Sequence, residues 1–135
     1  MYKRAIMLQK ILLIFFFVGW CNAIESNIIE IMQRLQHASD LIQKGFFLNK
    51  FDLVQEGIKK HKEDFYTLQK FNIEVFLDSK NTNYSPIISS FISNIIEQRV
   101  MLEKFLKNND KIRAYEAYQG MNLNCTKCHG LLRDW

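Results

Sequence analysis

The sequence predicts an all-α protein, an antiparallel up-down-up-down four-helix bundle. Three observations lead to this fold class. Apolar residues recur at spacings of three and four over four long segments, which is the period of an amphipathic helix. The chain contains one proline, Pro86, and only five glycines. Short polar stretches separate the segments, and helices joined by short loops tend to pack as neighbours.

The first 23 residues have the features of a cleavable signal peptide. Lys3, Arg4 and Lys10 precede or flank a short apolar run, residues 11–20, and no acidic residue occurs there. Small residues then lead to an expected cut after Ala23. The apolar run is about half of the roughly 20 residues that span a bilayer. We therefore expect an exported, periplasmic protein with one domain, residues 24–135; an uncleaved membrane anchor is the alternative.

Cleavage changes the charge and the cysteine count. The chain has 18 Lys and Arg against 14 Asp and Glu, and three of the basic residues lie in residues 1–23, which leaves 15 against 14. The basicity therefore belongs mostly to the export signal, and it predicts no binding to nucleic acid. Removal of Cys21 leaves Cys125 and Cys128 as the cysteines of the mature chain.

The first two helices are predicted at residues 27–44 and 51–75. Gly45 is expected to cap the first helix, because glycine is common just after a helix end. The apolar face of helix two is expected to include a histidine, and it consists of Val54, Ile58, His61, Phe65 and Leu68.

The polar stretch 78–84 predicts a loop before the third helix. Ser85 and Pro86 follow in the order that is typical of an N-cap and a first helical residue, and helix three is expected to end near residue 107. A turn at 108–110 then leads to helix four, which starts near Lys111. The apolar stripe of helix four is Tyr115, Tyr118, Met121, Cys125, Cys128, His129 and Leu132.

The pattern C-x-x-C-H at residues 125–129 is typical of covalent haem attachment. Two thiols form thioethers with the two vinyl groups of the porphyrin, and the adjacent imidazole binds the iron. Positions i, i+3 and i+4 share one face of a helix, so Cys125, Cys128 and His129 would point to the same side. That side is the core-facing stripe, where helical bundles hold their cofactors.

Other uses of this pattern fit the chain less well. A structural zinc site needs four ligands, and the remaining histidines of the mature chain, His37 and His61, lie far away in sequence. A thioredoxin-type dithiol belongs to a βαβ pattern, which the sequence does not show. The expected cofactor is therefore one haem c, with His129 as the proximal iron ligand.

Met32 is the leading candidate for the second axial ligand of the iron. It lies on the apolar stripe of helix one, whose first turns are expected beside the last turns of helix four. Core filling is the alternative role for such a methionine. His37 is five residues from Met32, about 140° around the helix, and is expected at the surface. His61 is the second candidate ligand.

These residues resemble the cytochrome c′ superfamily of four-helix-bundle cytochromes, which includes low-spin, methionine-ligated members and is related to the soluble b-type bundle cytochrome. The resemblance covers residues 24–135 in helix order and length. It rests on the motif 125–129, on Arg133 four residues after His129, and on Met32 with Leu35 in helix one. It implies that Met32 is the distal ligand and that Arg133 lies near a haem propionate. Leu132 departs from the aromatic residue usual at that place.

The leading interpretation is a periplasmic monohaem cytochrome that transfers single electrons to redox partner proteins and catalyses no reaction of its own. The alternative is a five-coordinate, cytochrome c′-like protein that binds nitric oxide or carbon monoxide in an apolar pocket of Ile28, Met32, Phe65 and Phe91. A third interpretation is a helical bundle without haem, either zinc-binding or purely structural. The apolar load of helix three would permit a homodimer.

Overall fold

The computed structural model describes residues 27–72, 74, 77 and 82–133. Within these ranges the chain is all-helical without strands, consistent with a four-helix bundle, and this confirms the predicted class. Helix α1 spans residues 27–47. Helices α2, α3 and α4 span Phe51–Leu68, Ser85–Lys107 and Lys111–Arg133, and a short 3-10 turn, Thr82–Tyr84, precedes α3. The expected signal peptide, residues 1–23, and the side chain of Arg133 lie outside the described residues.

None of the helices in the described ranges is long and apolar enough to cross a lipid bilayer.

Helix α1 is longer than predicted, and Gly45 lies inside it. The chain leaves α1 through Asn49, which takes the left-handed conformation with φ of 53°, and the N–H of Lys50 donates a hydrogen bond to the carbonyl of Gly45 (2.8 Å). A Cβ at Gly45 would lie 2.6 Å from Cγ2 of Val54. The prediction of Gly45 as a cap is therefore wrong, and the residue instead permits close packing between α1 and α2.

Helix α2 ends at Leu68, seven residues before the predicted end at residue 75. The N–H of Phe71 bonds the carbonyl of Leu68 (3.1 Å) in a tighter turn. The side-chain oxygen of Asn72 then accepts a hydrogen bond from the N–H of Glu74 (3.3 Å). Such side-chain bonds compete with helical hydrogen bonds. The predicted extension of α2 to residue 75 is wrong, although apolar residues continue past Leu68.

Helices α3 and α4 begin and end close to the predicted positions. Helix α3 ends at Lys107, as predicted. The prediction of Ser85 as N-cap is wrong by one residue, because Tyr84 occupies the N-cap position and Ser85 begins the helix. The turn before α4 contains Asn109 with φ of 56°. Asp110 caps α4, because its Oδ1 accepts the backbone N–H of Arg113 (3.2 Å).

The core is built from one apolar stripe on each helix. In α2 the five predicted residues, from Val54 to Leu68, are all buried. Gly57 brings α2 close to α1, since a Cβ there would lie 2.6 Å from Cγ1 of Ile42 and 2.7 Å from the carbonyl oxygen of Ala38. The largest fully buried side chains are Ile31, Ile42, Val54, Ile88, Leu102 and Met121.

Aromatic rings fill the part of the core near the two turns, at 48–50 and 108–110. Phe46 contacts Tyr115 edge to face, with 5.2 Å between ring centroids, and Phe51 at 6.2 Å. Tyr118 lies 5.9 Å from Tyr115. Such ring contacts add stability beyond the burial of their area. This closely packed region contrasts with the far ends of the same helices, where the side chains surround a cavity.

Candidate functional site

A cavity of about 110 Å³ lies between the four helices. It is bounded by the N-terminal halves of α1 and α3 and by the C-terminal halves of α2 and α4. Its surface is mostly apolar, and the polar or sulfur-bearing groups that reach it are few. The lining residues include Met32, Leu35, Ser39, His61, Phe65, Leu68, Ile88, Ile92, Ile95, Asn122, Cys125, Cys128, His129 and Leu132.

Helix α4 points three residues of the C-x-x-C-H pattern at this cavity. Cys125, Cys128 and His129 all line it, whereas Thr126 and Lys127 are exposed on the opposite side. This is the face that the i, i+3, i+4 spacing predicts. Both cysteines are free rather than joined in a disulfide.

Buried Asn124 helps to fix the rotation of α4 just before the motif. Its amide nitrogen donates to the carbonyl of Gly120 (2.8 Å), and its Oδ1 accepts from Asn94 of α3 (3.4 Å). Gly120 lies against Gln98, whose Oε1 would be 2.8 Å from an added Cβ. Both residues are weak helix formers, and here each serves a contact between α3 and α4.

Met32 and His129 occupy the same level of the bundle. Phe46 of α1 contacts Tyr115 of α4, and seven residues earlier in α1 Ser39 donates a hydrogen bond to Oδ1 of Asn122 (2.8 Å), seven residues later in α4. Met32 is seven residues before Ser39, and His129 is seven residues after Asn122. Each step is about 10.5 Å along its helix axis and runs in the same direction along the bundle. Both residues line the cavity.

The hydrogen bonds of Ser39 hold α1 and α4 in this register. Besides the bond to Asn122, the hydroxyl of Tyr118 donates to the backbone carbonyl of Ser39 (3.1 Å). Ser39 and Asn122 also form part of the cavity wall. Sequence reasoning missed both residues, although their positions seven residues from Met32 and His129 place them on the same helix faces.

The two thiols are in an environment that keeps them protonated. Burial, with a contribution from Cys128, raises the pKa of Cys125 to about 11. Burial also raises the pKa of Cys128. Reactive redox cysteines have the opposite shift, because a nearby cation or a helix N-terminus stabilises the thiolate. This environment therefore differs from that of a thioredoxin-type dithiol.

His61 lies on the cavity wall and is only 2% exposed. Its ring stacks on Phe65, with centroids 5.4 Å apart and planes 12° apart. Burial and the nearby Arg99 cation lower the pKa of His61 to about 4, against a smaller opposing effect of Asp64. The imidazole is therefore neutral at physiological pH, and its buried Nδ1 has no hydrogen-bond partner.

Only part of the predicted apolar pocket lines the cavity. Phe65 lines the cavity, whereas Phe91 and Ile28 are half-buried outside its lining. Their places are taken by Ile88, Ile92 and Ile95. His37 is exposed, as predicted.

In the described part of the chain, no group of three or more His, Cys, Asp or Glu side chains is arranged to hold a metal ion. A haem iron requires no such cluster, because the porphyrin supplies four of its ligands.

Comparison of the chain with protein-family models, with curated proteins and with solved structures finds no match.

Proposed function

We propose that this protein is a periplasmic monohaem c-type cytochrome that transfers single electrons, with an antiparallel up-down-up-down bundle exported by a cleaved signal peptide. One observation carries the proposal. The two cysteines and the histidine of the C-x-x-C-H pattern line a single apolar cavity together with a methionine from another helix, at the level of the histidine.

The residues present fit a covalently bound haem. The cavity wall offers two thiols for the vinyl groups, one imidazole, and one thioether sulfur, which are the donors of a His/Met c-type centre. Leu35, Leu68 and the three isoleucines of α3 supply the apolar walls. A porphyrin is larger than the cavity, so half-buried wall side chains that do not ligate the iron, such as Leu132, must turn outward to admit it.

Each residue has a distinct task in this proposal. Cys125 and Cys128 tether the porphyrin to α4, and His129 binds the iron from the same helix. Met32 binds from α1, and the apolar walls exclude water. The haem supplies the one-electron redox chemistry, while the protein fixes its ligands and sets its potential. Partner proteins deliver and collect the electron.

The test is the visible spectrum of the haem-loaded protein and of Met32→Ala. We expect a low-spin ferric spectrum with a methionine-to-iron charge-transfer band, because thioether ligation produces both. Met32→Ala should remove the band and change the spin state. Met101→Ala is the matched control, since Met101 is a half-buried methionine that packs against the core without lining the cavity. It should leave the spectrum unchanged.

A high-spin spectrum that Met32→Ala leaves unchanged would contradict methionine ligation. If the ferrous protein then binds carbon monoxide rapidly, without displacing a ligand, the gas-binding interpretation replaces electron transfer. The haem site itself would stand in that case, because His129 and the two thioethers serve both functions.

A further inference from the structure

A buried arginine lies beside the cavity without a hydrogen-bond partner for two of its nitrogens. Arg99 follows Ile95 by four residues and precedes Leu102 by three, so it occupies the buried stripe of α3. It is 8% exposed, and its Nε and Nη1 atoms are buried and unpartnered. An uncompensated buried charge is costly.

Arg99 does not itself line the cavity, but it lies close to two residues of the cavity wall. Its Cζ is 5.9 Å from the ring centroid of Phe65, and Phe65 stacks on His61. Both rings line the cavity. The buried Nδ1 of His61 is unpartnered as well. Three unsatisfied polar atoms on two neighbouring side chains are therefore concentrated at one part of the wall.

The carboxylates of the chain that act on this region do not neutralise Arg99. Asp64 is engaged by Arg34 in an ion pair of 2.7 Å. Glu103, one turn along α3, has an electrostatic effect on Arg99. Within the described residues, however, neither acid forms an ion pair with it. Among the described carboxylates, none therefore pairs directly with Arg99, and its buried nitrogens can accommodate an anion.

We propose that Arg99 and His61 form a carboxylate site at the wall of the cavity, and that its ligand is a propionate of the porphyrin tethered at Cys125 and Cys128. The inference rests on the proposed function. A guanidinium donates charge-assisted hydrogen bonds to a carboxylate, and one tautomer of His61 adds an N–H at Nδ1. The low dielectric of the interior strengthens these interactions.

The test compares Arg99→Met and Arg99→Lys in two forms of the full chain, with and without attached haem. Mass spectrometry first establishes that haem is bound, so that failure of the proposed function is recognised separately. In the haem-free form Arg99→Met should raise the melting temperature, by about 4 °C or more, because it removes an unpaired buried charge. In the haem-loaded form the same change should lower it, because the propionate loses its partner.

The midpoint potential gives a second readout that needs no haem-free protein. Arg99→Met should lower the potential, since a positive charge near the haem disfavours the ferric state, and Arg99→Lys should retain most of the native value. Lys104→Met is the control, because it removes an exposed charge five residues from Arg99 on the same helix. It should alter neither the potential nor either melting temperature.

Acetate distinguishes a porphyrin carboxylate from a free one. It should raise the melting temperature of the haem-free protein and leave Arg99→Met unaffected. The haem-loaded protein should not respond, because the propionate occupies the site. An equal response in the haem-loaded protein would overturn the assignment to a propionate. If Arg99→Met shifts both forms in the same direction and leaves the potential unchanged, the carboxylate site itself is refuted while the haem site stands.

Discussion

Acidification should destabilise this protein through His61. Burial lowers the pKa of His61 from 6.5 to about 4, so between these values the unfolded chain binds a proton that the folded chain does not. Stability therefore falls as the pH falls through this window. A difference of about 2.5 pKa units at about 1.4 kcal/mol each corresponds to roughly 3 kcal/mol of lost unfolding free energy.

His61→Phe isolates this contribution. Phenylalanine retains a flat ring to stack on Phe65 but cannot bind a proton. Urea unfolding of the haem-free chain, followed by circular dichroism from pH 7 down to about pH 4, should show a shallower loss of stability in the variant than in the wild type. Both proteins contain the same carboxylates, so the contribution of these groups to the pH dependence of stability cancels in the comparison.

If His61→Phe and the wild type lose stability in parallel between about pH 6.5 and pH 4, protonation of His61 does not destabilise the folded protein. That result would mean that the folded and unfolded chains bind the proton of His61 equally well. The cavity wall would then be hydrated around the ring, which contradicts a closed apolar site.

Three further changes test the packing that shapes the site. Gly57→Ala should cost about 2 kcal/mol or more of unfolding free energy, because its Cβ would meet the carbonyl of Ala38 at 2.7 Å and force α1 from α2. Gly130→Ala should instead stabilise α4 by up to about 1 kcal/mol, because no atom lies within 4 Å of the added Cβ. The midpoints of urea unfolding compare the two glycine variants, and an equal loss of stability in both would contradict the packing of α1 against α2. Ser39→Ala should cost about 1 kcal/mol in the same assay, because Asn122 loses its donor; no loss would show that this hydrogen bond does not hold the register of α1 and α4.

The sequence predicted best what depends on apolar periodicity. The buried face of α2, the bounds of α3 and the start of α4 follow from spacings of three and four, because burial of one helix face dominates the energy of a bundle. The same rule placed Cys125, Cys128 and His129 on the cavity side of α4. Residues spaced i, i+3 and i+4 share one face of any helix, so this short pattern leaves little freedom in orientation.

Features that depend on contacts between helices were not accessible from periodicity. Gly45 resembles a helix cap in sequence, but in the structure it is needed because a larger residue would collide with the side chain of Val54 in α2. Helix α2 ends at Leu68 in a tighter turn, in which the N–H of Phe71 bonds the carbonyl of Leu68, although apolar residues continue beyond it. Arg99 continues the spacing of the buried residues Ile95 and Leu102, but a charged residue is rarely buried, so periodicity does not identify it. Phe91 is apolar and adjacent to Ile92, but its side chain is turned about 100° around the helix from that of Ile92, so it lies outside the cavity lining.

The most direct test of the central claim is the mass of the mature protein, purified from a host that attaches haem to exported chains. We expect a mature chain that begins after residue 23 and carries one haem, with the added mass on the peptide that contains Cys125 and Cys128. Replacement of both cysteines by alanine should abolish that addition. A mature chain of unmodified mass, produced where a control c-type cytochrome is fully loaded, would contradict the account.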